Sequence, residues 1–513
     1  MAGWPRNWAR PGTRGCTLSR IAAVSFWAAT VGALVAVAAA AMAAASPPAT
    51  VTQGPVPVVT PSPPSVRSPL IGAYYSEWFP ANAAQGTLRQ HLVPRQGADP
   101  AKVDSADPRV AEEAIGQAAA SGIGFFALDW WPSRPKQNEA VDAFVRARNL
   151  SDIKFCFLYE TWDLGFDAGH ESTPVTAPLE ARFDHDLLAL AEKYFANPSY
   201  LRIGGRPVVV LYLTRTLTGD VTGMMTGARR LLKAHGYDPF IIGDEVLWRV
   251  TAVDTPGGTP ALTTAPQVSR IDLFDAVTAY SLYSGGPADP LSPQADFENY
   301  PGATTIVPDE VGLYRRYRAA TMGRVPVVPD VTPGLNTRGV RLSVDEHAQP
   351  RQWLAGAPPG STLSQYLEQI ATPVLDPSLP MVFVTSWNEW NEDTAIQPVG
   401  GMATSKDDSP TGSDYTQGYT YGGEGRVDLD VIRNYADVAW GRITGPGGRP
   451  VPHREVIETA HGRPVDASRT DAAGWYVMPR TGRCPATLAM ETTGDAHRFT
   501  CSGTEARRVD LHI

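Results

Sequence analysis

The chain has 513 residues, of which 43% are hydrophobic and 19% are charged, and its formal net charge at pH 7 is -9. This composition excludes a globally disordered chain, and the length allows a large domain together with a smaller module. Nucleic-acid binding is disfavoured, because phosphate neutralisation needs a clustered basic surface and no lysine or arginine run occurs beyond the extreme N-terminus. As a binding partner, a neutral or weakly charged polymer suits this charge distribution better than a nucleic acid does.

Residues 1–45 have the pattern of an export signal. Four arginines precede an apolar stretch from Ile21 to Ala45, which ends in three alanines before Ser46, a context typical of signal cleavage. The same stretch is long enough to span a bilayer, so an uncleaved membrane anchor is the alternative. Either form places the remaining chain outside the cytoplasm, secreted or at the cell surface. Residues 46–69 contain eight prolines and are predicted to be an extended linker.

After the linker, β-rich apolar runs alternate with amphipathic helical patterns. The predicted strands are Leu70–Tyr75, Ile123–Asp129, Ile153–Tyr159, Pro207–Leu213, Phe240–Asp244, Phe274–Tyr280, Val325–Val331 and Met381–Ser386. The predicted helices are Arg109–Ala120, His185–Ala196, Gly223–His235, Val311–Ala320, Thr362–Ala371 and Val431–Trp440, with only a weak helical pattern at Pro266–Ile271. Near-continuous apolar strands separated by helices indicate a parallel sheet covered on both faces. Eight such strands favour an α/β fold, a closed (β/α)8 TIM barrel over residues 70–440.

Residues 441–513 differ in composition, with glycines and prolines first and then short alternating runs such as Trp475–Val477. The short-strand pattern predicts a small C-terminal β-sandwich. Cys484 and Cys501 lie near each other in this module, and a disulfide between them is expected in an exported chain. The stretch from Thr470 to Tyr476 resembles carboxypeptidase regulatory-like, transthyretin-like modules. We expect a spacer or stabilising role, and carbohydrate or cell-wall binding is the alternative.

The carboxyl ends of the strands are where a barrel of this kind places its site. The densest set of polar and aromatic residues follows the eighth predicted strand, and its members are Trp387, Asn388, Glu389, Trp390, Asn391, Glu392 and Asp393. Glycosidic cleavage needs an acid for the leaving oxygen and a second carboxylate to assist attack at the anomeric carbon. Two glutamates three residues apart on one tight turn supply both. The tryptophans offer flat apolar faces to sugar rings, and Asn388 can hydrogen-bond hydroxyls. The alternative is a helix start with acidic first-turn residues.

The block from Ser386 to Pro398 resembles the signature of glycoside hydrolase family 99, which holds the endo-α-mannosidases, and of relatives tied to bacterial surface polysaccharides. Weaker matches occur in the same order at the first four strands and after the seventh, so that the resemblance spans roughly residues 70 to 440. The stretches that match are Ile71–Tyr75, Gly124–Trp131, Phe157–Glu160, Gly205–Val209, Val331–Gly334 and Asn336–Arg338.

This resemblance implies an unusual retaining mechanism. Glu389 would be the base that removes a proton from the 2-hydroxyl of a mannose-type ring, whose oxygen then attacks its own anomeric carbon to give a 1,2-anhydro sugar. Glu392 would protonate the leaving group and later activate water. Three positions depart from the family pattern: Asn391 replaces a common histidine, Asp393 a common glycine and Gln397 a common glutamate. These departures concern the identity of the substrate more than the cleavage. No metal or organic cofactor is implied.

Further substrate-binding candidates lie at other strand ends. They are Tyr74 and Tyr75 after the first strand, Asp129, Trp130 and Trp131 after the second, Glu160 and Trp162 after the third, Tyr212 after the fourth and Tyr280 after the sixth. For the tyrosines, an ordinary core role is the alternative. For Glu160 the alternative is a solvated loop acid.

The sequence therefore predicts an exported, retaining, endo-α-mannosidase-like hydrolase whose partner is a polysaccharide or oligosaccharide. One alternative is a protein of polysaccharide assembly that trims or transfers glycan chains. A second alternative is a catalytically silent glycan-binding or wall-associated protein.

Overall fold

The computed structural model describes residues 69–80, 93–94, 103–166, 172–251, 262–280, 282, 300–336, 348–376, 378–400, 424–436, 438–460, 463–470, 474–479, 486–490, 496–499 and 511–512. All of them lie in the unit Pro63–Ile513. The predicted signal, nearly all of the linker, and Cys484 and Cys501 lie outside these ranges. None of the helices within them combines the length and hydrophobicity that a membrane-spanning segment requires.

One parallel sheet forms the centre of the protein. Its strands are β1 (Leu70–Tyr75), β2 (Ile123–Trp130), β3 (Lys154–Tyr159), β4 (Arg206–Leu211), β5 (Phe240–Asp244), β6 (Ala276–Thr278), β7 (Val327–Val328), β8 (Asp330–Val331) and β9 (Met381–Val384). Each strand from β1 to β6 pairs in parallel with the next, β6 pairs with β7, β8 pairs with β9, and β9 returns to β1. The sequence-predicted TIM-barrel fold is thereby confirmed.

The barrel closes through β7 and β8, which are one strand interrupted at Pro329. Proline has no backbone N–H for a ladder, so pairing is lost at this position. The Pro329 carbonyl still accepts a hydrogen bond from Phe383 N–H at 2.9 Å. The Tyr314 hydroxyl fills the gap by accepting from Asp330 N–H at 3.0 Å. The sheet order therefore closes on itself despite the broken strand.

Helices cover the outside of the sheet. They are α1 (Pro108–Ala119), α2 (Pro135–Phe144), α3 (Ala177–Tyr194), α4 (Val221–Ala234), α5 (Val268–Ile271), α6 (Ile306–Ala320), α7 (Ser361–Val374, with a π-helical turn at Leu367–Ala371) and α8 (Val427–Tyr435). The weak pattern near Pro266 corresponds to the four-residue α5. Helix α2 was missed by the sequence analysis.

Short elements complete the barrel. Two-residue strands occur at Val93–Pro94, Thr173–Pro174, Arg202–Ile203, Leu217–Thr218, Val250–Thr251, Leu262–Thr263, Leu335–Asn336, Ala348–Gln349, Val399–Gly400 and Glu424–Gly425. Turns of 3-10 helix occur at Leu150–Asp152, Thr161–Leu164, Thr214–Thr216, Pro301–Ala303 and Pro446–Gly448.

The interior of the barrel is filled with side chains rather than open. A Cβ atom added at Gly72 would lie 2.0 Å from the ring of Phe125 on the neighbouring strand, so only glycine fits there. The Phe383 ring lies in the same interior and stacks on Tyr74 with ring centroids 4.8 Å apart. Close packing below the strand ends gives the site above it a rigid base.

The C-terminal module begins earlier than predicted. The predicted helix Val431–Trp440 is wrong in its second half, because the helix ends at Tyr435 and a strand follows at Val438–Thr444. The other strands of this module are Glu455–Ala460, Arg463–Arg469, Trp475–Pro479, Ala486–Met490, Ala496–Phe499 and Leu511–His512. They form a three-stranded and a four-stranded sheet. The sandwich arrangement of these sheets stays a prediction.

Candidate functional site

The segment that follows β9 is a closed turn rather than a loose loop. Backbone hydrogen bonds join Ser386 N–H to the Thr394 carbonyl at 2.9 Å and Ile396 N–H to the Ser386 carbonyl at 2.9 Å. Inside the turn, Glu389 N–H donates to Ser386 Oγ at 2.8 Å. These bonds fix the backbone that carries both predicted catalytic glutamates. We call residues 386–397 the glutamate turn.

The glutamate turn is tied to the end of β1 by Asn388. Its Oδ1 accepts from Ser76 N–H at 2.7 Å, and its Nδ2 donates to the Ser76 carbonyl at 2.8 Å. Both polar groups of the amide therefore hydrogen-bond to the backbone of the same residue, as a neighbouring β-strand would. The predicted contact of Asn388 with sugar hydroxyls is corrected to a structural tie between β1 and the turn.

Glu389 is buried and its carboxylate is oriented by the backbone. The side chain is 4% exposed, and Oε1 accepts from Asn391 N–H at 2.9 Å. Glu392 is only partly buried. The two predicted catalytic residues thus differ in access to solvent, although three positions separate them in the chain.

Tyr280 follows β6, and the charges of both glutamates affect the pKa of its phenol. Burial raises the pKa of the Tyr280 phenol well above its ordinary value, the negative charge of Glu392 raises it further, and Glu389 and Asp129 act in the same direction. A charge has this effect only over a short range. The strands β2, β6 and β9 belong to one parallel sheet, so the groups that follow them lie at the same mouth of the barrel.

Three tyrosine rings lie side by side at this mouth, with Tyr280 between the other two. The Tyr280 ring lies 4.8 Å from Tyr74 and 5.0 Å from Tyr212, measured between ring centroids. Tyr75, the next residue after Tyr74, points to the opposite side of β1. It packs against Phe126 at 5.1 Å and against Phe144 of α2 at 5.3 Å. The predicted sugar contact of Tyr75 is therefore wrong, because its ring lies between sheet and helix.

Asp129 and Glu160 form a buried carboxyl pair at the ends of β2 and β3. Asp129 accepts from Trp131 Nε1 at 2.9 Å. Burial raises the pKa of Glu160 well above its ordinary value, and the neighbouring charge of Asp129 adds to this. Burial also raises the pKa of Asp129, while hydrogen bonds from Trp131 and Glu160 oppose that rise. Hydrogen bonding within the pair therefore lowers the pKa of Asp129 and raises that of Glu160.

The predicted tryptophan platforms have different surroundings. Trp130 packs between sheet and helices, with ring centroids 5.6 Å from Tyr159 and 5.9 Å from Phe157, so its predicted role as a sugar platform is corrected to core packing. Trp131 is stacked under the Arg134 guanidinium at 3.5 Å. Trp162 is partly buried against Phe166.

Trp387 and Trp390 are enclosed on the glutamate turn. Trp387 has no exposed surface and its ring lies 5.0 Å from Phe126, in the layer between sheet and helices. Trp390 is 2% exposed and its ring lies 4.4 Å from Phe79. These contacts give both rings a packing role, and stacking on sugar by either ring stays a prediction.

Two further buried acids lie at strand ends, and one of them, Glu77, was absent from the predicted site. Glu77 lies two residues beyond β1 and is 3% exposed. Burial, and secondly the charge of Asp129, raise the pKa of Glu77 well above its ordinary value. Asp244 is the last residue of β5 and is fully buried. The criterion that located the other candidates, a polar residue at a strand end, would also have found Glu77.

Sequence comparison relates the first part of the barrel to a known family. Residues 70–278 match the sequence model of the family described as Glycosyltransferase WbsX. The protein WxcX of Xanthomonas campestris pv. campestris, named as uncharacterized, is 24% identical over 341 residues. That match covers 64% of this chain and 44% of WxcX, so the chain spans less than half the length of this relative.

Structural comparison agrees on the fold. A protein named Glycoside hydrolase-like protein superposes with a TM-score of 0.51 at 19% identity, covering 74% of this chain and 96% of that one. The family 99 endo-α-mannosidase of Bacteroides thetaiotaomicron gives a TM-score of 0.47 at 14% identity, covering 72% and 97%. The superposition on the first of these proteins agrees with the barrel fold. The resemblance of the C-terminal module to regulatory-like modules stays a prediction.

Proposed function

We propose that this WbsX-like chain is an exported glycoside hydrolase of the retaining, endo-α-mannosidase-like type, acting on an α-mannan or a related surface polysaccharide. The observation that carries the proposal is that Glu389 and Glu392 stand on one hydrogen-bonded turn directly after the barrel strand β9. Two carboxyl groups on one rigid turn, at the carboxyl end of a barrel strand, are the equipment that glycosidic cleavage requires.

The unequal burial of the two glutamates supports distinct roles. Glu389 is enclosed, and a base that acts on a sugar hydroxyl benefits from a dry and fixed environment because the hydroxyl proton is only weakly acidic. Glu392 is more exposed, as an acid must be if it is to meet a leaving group that departs toward solvent. We assign Glu389 as the base and Glu392 as the acid.

The proposed reaction has two steps, formation of the 1,2-anhydro sugar and its opening by water. In the first, Glu389 takes the proton of the 2-hydroxyl, O2 forms a bond to C1, and the bond from C1 to the leaving oxygen breaks as Glu392 protonates that oxygen. In the second, Glu392 takes a proton from water, the water oxygen bonds to C1, and the bond between C1 and O2 breaks while Glu389 returns the proton to O2. Two inversions at C1 give net retention.

The mechanism is tested with glycans that lack a free 2-hydroxyl. A matched pair of oligosaccharides is prepared, one with the 2-hydroxyl at the ring to be cleaved and one with a 2-O-methyl group there. Cleavage of the first with retained anomeric configuration, followed by NMR, and no cleavage of the second is the expected result. Cleavage of both at similar rates would remove the role assigned to Glu389.

Glycan transfer is a second candidate, favoured by the description of the matching family as a glycosyltransferase. The same two glutamates would serve, because a sugar hydroxyl can open the anhydro ring in place of water. Product analysis with an added acceptor glycan separates the two functions. Longer products would support transfer, whereas shorter products with new reducing ends would support hydrolysis.

A further inference from the structure

We infer that Asp244 is a positioning residue for this site, because its one buried carboxylate accepts from the backbone N–H of Tyr280 and from that of Leu213, the residue after Tyr212. The inference rests on the proposed function, since it concerns how the environment of the proposed acid is fixed. Among the described residues, the hydrogen bonds of Asp244 go to Leu213, Arg215 and Tyr280. It acts through Tyr212 and Tyr280.

The carboxylate of Asp244 joins the ends of three neighbouring strands. Its Oδ1 accepts from Tyr280 N–H, beyond the end of β6, at 2.9 Å. Its Oδ2 accepts from Leu213 N–H, beyond the end of β4, at 2.9 Å and forms an ion pair with Arg215. Asp244 has no exposed surface and Arg215 is 5% exposed. A buried carboxylate with partners on both oxygens is a rigid connection.

The connection through Leu213 supports an uncommon backbone conformation. Leu213 has a φ of 50°, in the left-handed region that leucine rarely adopts. This turn follows Tyr212 directly, so the bond from Leu213 N–H to Asp244 sets the direction in which the Tyr212 ring leaves β4. The bond to Tyr280 N–H does the same at β6. A single side chain thus fixes both rings.

These two rings lie at the mouth of the barrel that carries the glutamate turn, because both follow strands that run parallel to β9. They contact each other at 5.0 Å in an edge-on arrangement of 74°. Burial raises the pKa of each phenol first, and the charge of Glu392 contributes to the rise in both. A displacement of either ring would change the space and the polarity next to the proposed acid. Misplacement by about 1 Å at a reacting group can cost about 100-fold in rate.

The chain offers a matched control at the other end of the same barrel. Asp275 immediately precedes β6 and accepts from Ile241 N–H, near the start of β5, at 2.9 Å. It also forms ion pairs with Arg206 at 2.6 Å and with Arg229 at 2.9 Å. Asp275 therefore also joins strands through a backbone N–H and arginine, but at the amino ends, away from the glutamates.

The test compares Asp244→Asn with Asp275→Asn in the full chain, using a glycan that the wild type cleaves. In Asp244→Asn the amide nitrogen replaces one acceptor and faces an N–H group, so one connection is lost. We expect kcat to fall about 10- to 100-fold with KM within about threefold of the wild-type value. In Asp275→Asn, kcat and KM should stay within about twofold of wild type. Wild-type kcat in Asp244→Asn, or an equal loss of kcat in both variants, would overturn the inference.

Two further experiments cover the cases in which Asp244→Asn does not fold or the wild type cleaves no glycan. If Asp244→Asn does not fold, Leu213→Gly is added, because glycine adopts the left-handed turn without support. The double variant still lacks one of the two acceptors of Asp244 and should show the kcat loss. If the wild type cleaves no glycan, the proposed function fails separately. The inference is then tested by crystal structures of wild type and Asp244→Asn: displaced Tyr212 and Tyr280 rings support it, and unmoved rings overturn it.

Discussion

The side-chain amide of Asn388 pairs with both backbone groups of Ser76, at 2.7 and 2.8 Å, and so attaches the glutamate turn to the end of the first barrel strand. The two residues are 312 positions apart in the chain. The positions of Glu389 and Glu392 therefore depend on a connection between the first and last strands of the barrel, in addition to the hydrogen bonds within the turn.

Replacing Asn388 by alanine should weaken both the fold and the site. The Ser76 N–H and carbonyl groups would stay buried without partners, which costs about 1–3 kcal/mol of the free energy of unfolding. Urea unfolding measures this loss. Asn388→Asp should be at least as harmful, because a carboxylate oxygen would then face the Ser76 carbonyl. Asn138→Ala, which loses one bond of 3.2 Å to the Pro132 carbonyl, is the control and should cost less. Equal stability of Asn388→Ala and wild type would contradict the account.

Glu160→Gln should stabilise the protein at neutral pH. The raised pKa of Glu160 means that the native state binds a proton that the unfolded chain releases above the ordinary carboxyl range, so wild-type stability falls as pH rises from about 4.5. Glutamine has no such proton and can still donate to Asp129. The free energy of unfolding of Glu160→Gln should exceed that of wild type by at least about 1 kcal/mol at pH 7, and the difference should shrink toward pH 4.5.

Urea titrations at the two pH values measure this difference, and Glu192→Gln on the exposed face of α3 should change stability by less than about 0.5 kcal/mol at either. A Glu160→Gln variant less stable than wild type at pH 7 would show that Glu160 is ionised there. A stability difference that does not change with pH would show the same.

Position 393 should accept glycine and reject valine. Asp393 has a φ of 56°, where glycine is unstrained, aspartate is tolerated and β-branched residues are disfavoured. The Arg351 guanidinium donates to the Asp393 carbonyl at 3.0 Å, a bond that substitution of the side chain does not remove. Asp393→Gly should stay within about 0.5 kcal/mol of wild type, and Asp393→Val should lose about 1–2 kcal/mol. Thermal unfolding of both variants checks this; equal values for the two would contradict it.

Much of this architecture was predictable because it depends on local patterns. The strands β1 and β5 have their predicted bounds, since continuous apolar runs in a buried parallel sheet are distinctive. The glycine-type position at Asp393 was noted from the sequence as a departure, and the left-handed φ supplies its physical reason. Asp129, Glu160, Tyr212 and Tyr280 were each chosen because they lie at or just after a strand end, and they lie at the same mouth of the barrel, since these strands run parallel.

Other features could not be predicted because they depend on which face of an element a side chain occupies. Tyr75 and Trp130 lie at strand ends, yet alternation directs both toward the helices. The pairing of Asn388 with Ser76 joins residues whose proximity only the closed barrel creates. Trp440 continues an apolar pattern that suited a helix, but it lies in a strand paired with Trp475–Pro479. In each case long-range packing, rather than local sequence, decided the outcome.

The release of new reducing ends from α-mannan and related glycans, measured for wild type, Glu389→Gln, Glu392→Gln and the control Glu192→Gln, tests the central claim most directly. We expect wild type and Glu192→Gln to cleave the same glycan at similar rates, and each of the other two variants to lose activity by about 100-fold or more while still binding it. Turnover at the wild-type rate in Glu392→Gln would contradict the account.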